Sequence, residues 1–460
     1  MAEISFVPFD KLMNVARWDS EYYQPKNQLL EAKLLHAKPV PVSSFAFVTD
    51  GIHASPEWVD SEGILYLSAK CVKDNVFDLS TAGHISAEQN DANPRTQVQL
   101  NDVLVTTVGT IGNAAVVTKD IVPANMDRHL GIIRINKDAD VDPFYLATFL
   151  NCNFGRFQTE RESTGNVQLN LFIDKIKKIL VPTGKQFNEV GVLTRSAYNK
   201  MKDADKLYPE AEAEMLERMG WDKLRKKPVD LVYVEKFNEL QEHSRYDAEH
   251  FQPRYKRLRR HLLKVGTKSI DELHLSCAKG TQPEIYVDSG DVLVVKSKNV
   301  LGSGIDFESC ERTTPSAYDD IEARLKEGDV VINSTGLGTL GRTAFIPGIT
   351  DKVVASVDLI IWRFNPKYIL PEYATLFLNS PAGLAQSDMF QTGSSGQLHL
   401  YPQHIKQFLI YLPNDSKGKI DLKWQQKLAD KVIQASTAKK EAQELLEKAK
   451  TIVEAHISEL

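Results

Sequence analysis

The chain contains two similar halves, and this duplication constrains its fold more than any other feature. Residues 17–26 (RWDSEYYQPK) reappear as residues 245–254 (RYDAEHFQPR), an offset of 228 residues from position 17 to position 245. Pro143–Asn151 aligns with Pro371–Asn379 at the same offset. Because the chain has 460 residues, each repeated unit has the size of a domain. It is far longer than the about 20 to 50 residue repeats of solenoids.

Two further correspondences extend the duplication through the chain. Lys70 corresponds to Lys298 at the offset of 228, and Gln168 corresponds to Gln397 at an offset of 229. An insertion has therefore accumulated while the order of the motifs is kept. We infer a tandem pair of similar units. Two similar recognition units on one chain suit a target that itself has two parts.

The composition narrows the class of protein. With 42% hydrophobic and 25% charged residues, the chain is typical of soluble globular proteins. No run of about 18 apolar residues and no secretory leader is found, so we expect a cytoplasmic protein. The four cysteines are scattered without ligand spacing, so no metal site is predicted.

The net charge of -5 argues against indiscriminate binding to nucleic acid. A local basic face is still present, because residues 253–268 carry seven Lys or Arg and no acid. Such a run is either a solvated helix face or a surface for phosphate or a partner. The sequence alone leaves both interpretations open.

Each half has the same order of predicted elements: an amphipathic helix, a β-rich middle, a short helix and a long helix. The β-branched runs 102–108 and 329–335 lead into glycine turns. The other matching pairs are the strands Leu130–Ile135 and Leu359–Phe364 and the short helices Pro143–Asn151 and Pro371–Asn379, which begin with proline.

The two long helices carry heptad repeats. Residues seven apart form one series in each helix: Val190, Ala197, Ala204 and Ala211 in the first, and Leu428, Ala435, Ala442 and Ala449 in the second. Heptads of this kind form a seam for another helix, and the two segments are natural partners of each other. The alternative is that each helix packs separately on its own domain. Pro209 predicts a kink or a restart in the first helix.

A search for catalytic chemistry yields one glycine motif, at residues 336–341 (GLGTLG). A dinucleotide-binding motif must open a helix, whereas residues 342–348 have the pattern of another strand. The counterpart at residues 109–112 lacks the leading glycine. We therefore interpret both as turns between strands, where glycine permits positive φ. No P-loop and no convincing catalytic set is found, which favours a binding protein over an enzyme.

The repeated polar loops 163–168 and 392–397 are candidates for DNA contact. Glutamine can pair with an adenine edge, and Lys or Arg can hold phosphate. The alternative is that these residues only cap turns. The DNA-binding candidates are Lys70, Arg128, His129, Arg161, Gln168, Lys296, Lys298, Arg342, Gln397 and His399.

Together these motifs resemble the specificity subunit of type I restriction-modification systems. The residues that carry the resemblance are the doubled segments 17–26 and 245–254, the turns at 102–112 and 329–341, the glycine- and glutamine-containing loops 163–168 and 392–397, and residues 205–212 (DKLYPEAE). The resemblance spans almost the whole chain. No single motif is diagnostic, but their order, the duplication and the two long helices are specific in combination.

The resemblance implies an α/β (α+β) fold with two target-recognition domains that have mixed, β-rich cores. Two long antiparallel spacer helices would join and separate them in a pseudo-twofold arrangement. Each domain would read one half of a split site on double-stranded DNA. The implied domains are 1–183 for the first target-recognition domain, 184–227 for the central spacer helix, 228–414 for the second target-recognition domain, and 415–460 for the C-terminal spacer helix.

The resemblance also implies the partners. The spacer helices would dock methyltransferase subunits, two in number, and the complex would include a restriction and translocase subunit. The chain itself would carry no catalysis, no metal and no cofactor. S-adenosylmethionine, ATP and Mg²⁺ would belong to the partner subunits.

Two other functions remain open at this point. A tandem-domain scaffold that binds only proteins would account for the duplication and the heptads equally well. A specificity chain of a related system with fused restriction and methylation would share most of the motifs. The bases recognised, and the gap between them, cannot be predicted from the sequence.

Overall fold

The structure is a computed structural model, and it describes residues 6–15, 17–165, 169–225, 232–243, 245–302, 304–394 and 396–459. The chain forms two compact units. The first unit comprises residues 1–202 and 439–460, and the second comprises residues 203–438. The four domain ranges drawn from the sequence stay a prediction.

The first unit is built from short helices and strands. Its four-stranded antiparallel sheet has the order β2-β8-β5-β6, and its three-stranded sheet has the order β4-β3-β7 with β3 parallel to β7. In chain order, the helices are α1 (Phe9–Val15), α2 (Pro25–His36), α3 (Ala87–Asp91), α4 (Pro143–Asn151), α5 (Asn153–Glu162) and α6 (Ile173–Ile176); the strands are β1 (Val40–Pro41), β2 (Ala46–Asp50), β3 (Ile64–Leu67), β4 (Gly83–Ile85), β5 (Val103–Thr106), β6 (Ala114–Val116), β7 (Ala124–Met126), β8 (Leu130–Ile135) and β9 (Leu180–Val181).

The second unit repeats this plan after the long helix α7 (Asn188–Met219). Its four-stranded sheet has the order β11-β19-β16-β17, and its three-stranded sheet has the order β15-β12-β18 with β12 parallel to β18. The further helices are α8 (Asp222–Arg225), α9 (Phe237–His243), α10 (Pro253–Val265), α11 (Ile270–Leu273), α12 (Pro371–Asn379), α13 (Pro381–Phe390), α14 (Pro402–Ile405) and α15 (Leu422–Ser458); the strands are β10 (Thr267–Ser269), β11 (His274–Lys279), β12 (Val292–Val295), β13 (Val300–Leu301), β14 (Gly304–Ile305), β15 (Glu311–Thr313), β16 (Val330–Asn333), β17 (Thr343–Phe345), β18 (Lys352–Ala355), β19 (Leu359–Phe364), β20 (Thr392–Ser394), β21 (Gln397–His399) and β22 (Leu409–Tyr411).

Each four-stranded sheet is buried on both faces, which explains the continuous apolar runs in its strands. In β5, Val103 and Val105 pack with the helices, whereas Leu104 packs with the residues of the three-stranded sheet. In β16, Val330 lies in the helix-side core and Val331 lies in the core shared with the three-stranded sheet. Successive side chains of a strand point to opposite faces, so each sheet forms the centre of a layered α/β unit. The predicted α/β fold class is confirmed.

A buried ion pair fixes the same two strands in each unit. In the first unit, Arg134 Nε and Nη2 donate to the two carboxylate oxygens of Asp102, at 2.8 and 2.7 Å. In the second, Arg363 makes the same bidentate contact with Asp329, at 2.9 and 3.0 Å. Bidentate Arg–carboxylate pairs fix geometry as well as charge. In the first unit the pair holds the start of β5 against the end of β8. In the second unit it holds the start of β16 against the end of β19.

An asparagine at the end of a helix closes one edge of each four-stranded sheet. Asn379 accepts a hydrogen bond from the Thr343 N–H at 2.9 Å and donates to the Thr343 carbonyl at 2.7 Å. Asn151 does the same to Ala114, at 3.1 and 2.8 Å. The side-chain amide thus bonds the edge strand as a neighbouring strand would, and it ties α4 or α12 to the sheet.

The heptad positions predicted for the two long helices form buried seams. All eight are at most 1% exposed: Val190, Ala197, Ala204, Ala211, Leu428, Ala435, Ala442 and Ala449. In the second unit, Glu214 and Arg218 of α7 pair with Lys427 and Asp421, at 2.7 and 3.0 Å. Arg218, further along α7 than Glu214, pairs with the residue immediately before α15, whereas Glu214 pairs within α15, so these segments are antiparallel.

The first unit shows the same direction of pairing. Ala197 packs with Ala442 and Leu446, and Val190 lies in one core with Val453 and Ile457. The alternative of two helices that pack separately is therefore wrong for both units.

Of the kink or restart predicted at Pro209, the restart does not occur, and the kink stays a prediction. Helix α7 is continuous from Asn188 to Met219, with Pro209 inside it. Tertiary contacts outweigh the lost backbone hydrogen bond, because Ala204 and Ala211 on either side of the proline are fully buried.

Candidate nucleic-acid interface

The glycine motifs form loops between neighbouring antiparallel strands, as the sequence predicted. In the second unit the loop joins β16 to β17, and in the first unit it joins β5 to β6. Gly338 and Gly109 lie at the tips with φ of 79° each, a conformation that residues with a side chain rarely adopt. Residues 336–341 do not open a helix, which removes the geometry that a dinucleotide site of this type requires.

In the second unit, the glycine loop lies beside the hairpin formed by β20 and β21. The Gly336 N–H donates to the Leu398 carbonyl at 3.2 Å, and the Leu400 N–H donates to the Ser334 carbonyl at 2.8 Å. The hairpin carries two of the DNA-binding candidates, the exposed Gln397 and the half-buried His399. The structure thus brings together the two loops that the sequence singled out separately.

The first unit has the corresponding contact. The Leu171 N–H donates to the Thr107 carbonyl at 2.9 Å, which joins the glycine loop to the segment that follows α5. The Thr107 N–H donates to the His129 carbonyl at 3.0 Å, so the candidates Arg128 and His129 also lie next to this loop. Arg128 is exposed, whereas the His129 ring lies 3.2 Å from Asp127. The candidate Gln168 lies outside the described residues.

Arg161 is mostly buried, with a side chain that is 9% exposed. Its guanidinium donates to Glu31 at 2.9 Å and stacks on the ring of Tyr22, 4.5 Å from the ring centroid. It lines an open cleft of about 820 Å³ together with Ser163 and Thr164. Its contacts are those of a side chain that holds the end of α5 in place, and DNA contact by Arg161 stays a prediction.

The lysine candidates of the second unit are paired with one acid. Lys296 and Lys298 both donate to Glu311, Lys298 at 2.8 Å. Hydrogen bonds from Lys296 and then Lys298 lower the pKa of Glu311 below its usual value. Phosphate would have to compete with this carboxylate for both ammonium groups. Lys70, the counterpart of Lys298, is exposed.

Arg342 spans the base of the second glycine loop. Its Nη1 donates to the Val300 carbonyl at 3.3 Å, and its Nη2 donates to the Gly338 carbonyl at 3.4 Å. The side chain is half-buried. Arg342 therefore stabilises the loop from within, and its positive charge lies under the loop tip.

The basic segment 253–268 corresponds to α10 and β10. Part of its charge is neutralised, because Lys256 pairs with Glu235 and Glu239. Arg259 donates to the Gln407 carbonyl at 3.2 Å, and Arg260 is exposed. The segment is thus a helix with some cations engaged and others open to solvent.

No group of three or more His, Cys, Asp or Glu within the described ranges could hold a metal ion. No helix among those residues is long and apolar enough to span a bilayer.

Sequence reasoning missed the contacts that position these loops. The pairs Asp102–Arg134 and Asp329–Arg363 join residues that are far apart in the chain. The signal was nevertheless present, since an Asp before the first strand and an Arg within the later strand occur in both halves. Repeated polar residues inside apolar strands indicate partners within the fold.

Comparison with known proteins gives one match to a family model and several structural similarities. Residues 281–445 match the model of the type I restriction modification DNA specificity domain. No curated protein matches the chain.

Three solved structures illustrate the structural similarity. The S subunit of a type I restriction-modification system from M. genitalium is 14% identical, with 91% of this chain and 94% of that chain covered and a TM-score of 0.47. The HsdS subunit from Thermoanaerobacter tengcongensis is 14% identical, with coverages of 91% and 96% and a TM-score of 0.28. A structure from work on complex assembly and conformational transition of the type I R-M system is 12% identical, with coverages of 91% and 96% and a TM-score of 0.30.

The matched segment contains the second glycine loop, the hairpin β20–β21 and the candidates Lys296, Lys298, Arg342, Gln397 and His399. Residues 281–445 are therefore similar to the type I restriction modification DNA specificity domain, and the resemblance drawn from the sequence is confirmed over that segment.

Proposed function

We propose that this chain is the DNA sequence-specificity subunit of a type I restriction-modification complex, in which each unit reads one half of a bipartite target. The observation that carries the proposal is the specificity-domain match over residues 281–445. In both main sheets of the first unit, the strands follow the same order as their counterparts in the second unit. The proposal therefore covers both halves of the chain. Because the two units share a frame but differ in their loops, the half-sites are unlike.

The partners and cofactors are part of this proposal. Helices α7 and α15 bury one seam and leave other faces open, with Val192 at 65% and Ile433 at 37% exposure. These faces dock two methyltransferase subunits, and a restriction and translocase subunit completes the complex. The chain itself performs no catalysis and binds no cofactor; S-adenosylmethionine, ATP and Mg²⁺ are bound by the partners. Base contacts come from loop side chains, and Lys and Arg position the DNA through phosphates.

The first test is selection from a random duplex library with the chain purified together with its methyltransferase. Enrichment of two short, unlike motifs at a fixed gap is the expected result. An intact complex that enriches no sequence would contradict the proposal and would favour a scaffold that binds only proteins.

The second test exchanges residues 229–414 for the equivalent segment of another specificity chain. Only the second half-site should change, because the loops of the first unit are untouched. A change in both half-sites would show that the units do not read independently.

The third test concerns the long helices as a ruler. Seven residues are inserted into α7 after Lys202 and seven into α15 after Ala438, so that the antiparallel seams keep their register. Seven helical residues add about 10 Å, which corresponds to about three base pairs of DNA. The gap should widen by that amount while both half-sites stay the same. An unchanged gap would exclude the ruler role.

A further inference from the structure

The two glycine loops differ in length although their strands match. The Gly112 N–H donates to the Thr106 carbonyl, and the Gly341 N–H donates to the Asn333 carbonyl, each at 2.9 Å. Residues 107–111 lie between the bonded positions in the first unit, and residues 334–340 lie between them in the second. The second loop is therefore two residues longer at its tip, on an otherwise common frame.

The longer loop exposes an apolar side chain at its tip. Leu337 is 72% exposed, and it lies between Gly336 and Gly338, which both have positive φ. The exposed residues of the shorter loop are Gly109 and Thr110. Single exposed hydrophobic residues are common on protein surfaces, so exposure alone does not assign a role to Leu337. The contacts of its loop distinguish Leu337 from such residues.

The loop that carries Leu337 is held in place from three sides. The Ser334 N–H donates to the Asp358 carbonyl at 2.8 Å, and the Thr335 hydroxyl donates to the Asp358 carboxylate at 2.8 Å. The Gly336 N–H bonds the hairpin at Leu398, and the Arg342 guanidinium donates to the Gly338 carbonyl. The tip is therefore preorganised, which reduces the entropy lost when a ligand binds.

The same hairpin places polar side chains beside this tip. Gln397 and His399 lie on β21, and His399 forms a bridge with Thr335 of the loop. An amide, an imidazole and a leucine thus lie on adjoining segments of one surface. The 5-methyl group of thymine is the apolar group among the base edges of the major groove, and apolar side chains contact it. Gly338, next to Leu337, leaves room for close approach, since an added Cβ there would meet nothing within 4 Å.

We propose that Leu337 is a specificity-determining residue that contacts the 5-methyl group of a thymine in the second half-site. This inference rests on the proposed function, and it names one base contact of the second unit. The two-residue extension is absent from the first loop, so Leu337 also contributes to the difference between the half-sites.

The experiment uses the complex of the full chain with its methyltransferase, after library selection has given the target of the wild-type complex. Each thymine of the second half-site is replaced singly by uracil, which lacks the methyl group, and binding is measured for the wild-type and Leu337→Ala complexes. At one position uracil should weaken wild-type binding about fourfold, the factor expected for one buried methyl group. The Leu337→Ala complex should show no such loss there, while its first half-site stays unchanged.

The outcomes distinguish failure of the proposed function from failure of the inference about Leu337. If the wild-type complex selects no bipartite motif, the proposed function fails. If it does, and the Leu337→Ala complex keeps the full uracil effect at every thymine, the inference about Leu337 is overturned. A uniform loss of affinity on all duplexes would also overturn it, because that pattern indicates insertion between base steps or backbone contact. Thr110→Ala, at the tip of the shorter loop, is the matched control and should leave the second half-site unaltered.

Discussion

Replacing Arg363 by methionine should destabilise the second unit by about 3 kcal/mol. The Asp329 carboxylate is 4% exposed, and the substitution removes both of its bonds to Arg363 while the Lys326 N–H bond at 3.0 Å remains. Removing one partner of a buried pair costs about 3 to 5 kcal/mol. We expect the lower end of this range, because Arg363 is 27% exposed and water can reach part of the vacated space.

Urea unfolding of the full chain, followed by circular dichroism and tryptophan fluorescence, measures this loss. Trp362 is fully buried next to Arg363 and reports on the second unit. The exposed Lys367→Met is the control for adding a methionine and should change stability by less than about 0.5 kcal/mol. Adding Asp329→Asn to Arg363→Met should recover part of the loss, since no buried charge is then left unpaired. An Arg363→Met protein as stable as the Lys367→Met control would refute the reasoning.

Three other substitutions test the packing and the titration of the second unit. Gly383→Ala should lower the free energy of unfolding by about 1 to 3 kcal/mol, because an added Cβ would lie 2.3 Å from a carbonyl oxygen of α12. The control in the same urea assay is Gly302→Ala, where an added Cβ would meet nothing within 4 Å. Leu428→Ala should lower the unfolding free energy by about 3 kcal/mol, because Leu428 is fully buried in the seam, whereas the exposed Ile433→Ala should have little effect. Burial lowers the pKa of His250 below 6.5, so the unfolded chain binds a proton more readily. The free energy of unfolding should therefore fall as pH decreases from 6.5 towards the folded pKa, and His250→Gln should flatten this dependence. An equally steep curve for the variant would show that another group binds the proton.

Local patterns were predictable wherever the two halves gave independent views of the same element. The strands Leu130–Ile135 and Leu359–Phe364 and the helices Pro143–Asn151 and Pro371–Asn379 begin and end as predicted. Their apolar content is set by burial on both faces, which leaves a direct trace in the sequence. The heptad positions were predictable for the same reason, because alanine every seven residues indicates close helix approach.

Beside the seam of α15, Leu445 and Ile452 follow a second seven-residue spacing, and both pack against the buried residues there. Their neighbours Leu446 and Val453 are nevertheless the more buried residues. A helix has 3.6 residues per turn, so positions three and four residues after a seam residue both flank the seam. Which of the two positions is more buried depends on packing against the partner helix and the neighbouring sheet. The local sequence pattern shows neither.

Side-chain partners were the least predictable part of the candidate site. Lys296 and Lys298 pair with Glu311 because β12 and β15 are neighbours in the three-stranded sheet. The sequence gives the charges but not the register that brings them together. Arg161 illustrates the same limit, since its stacking on Tyr22 depends on how α5 packs against the N-terminal segment.

The asparagine at the end of α12 has a consequence for the behaviour of the chain at high concentration. Strand β17 lies at an edge of its sheet, and an open edge is a template on which a second chain can add a strand and begin to aggregate. Asn379 occupies the N–H and the carbonyl of Thr343, and Asn151 occupies those of Ala114 in the first unit. At these two positions an incoming strand finds no unpaired backbone group, so the chain is protected there from edge-to-edge association.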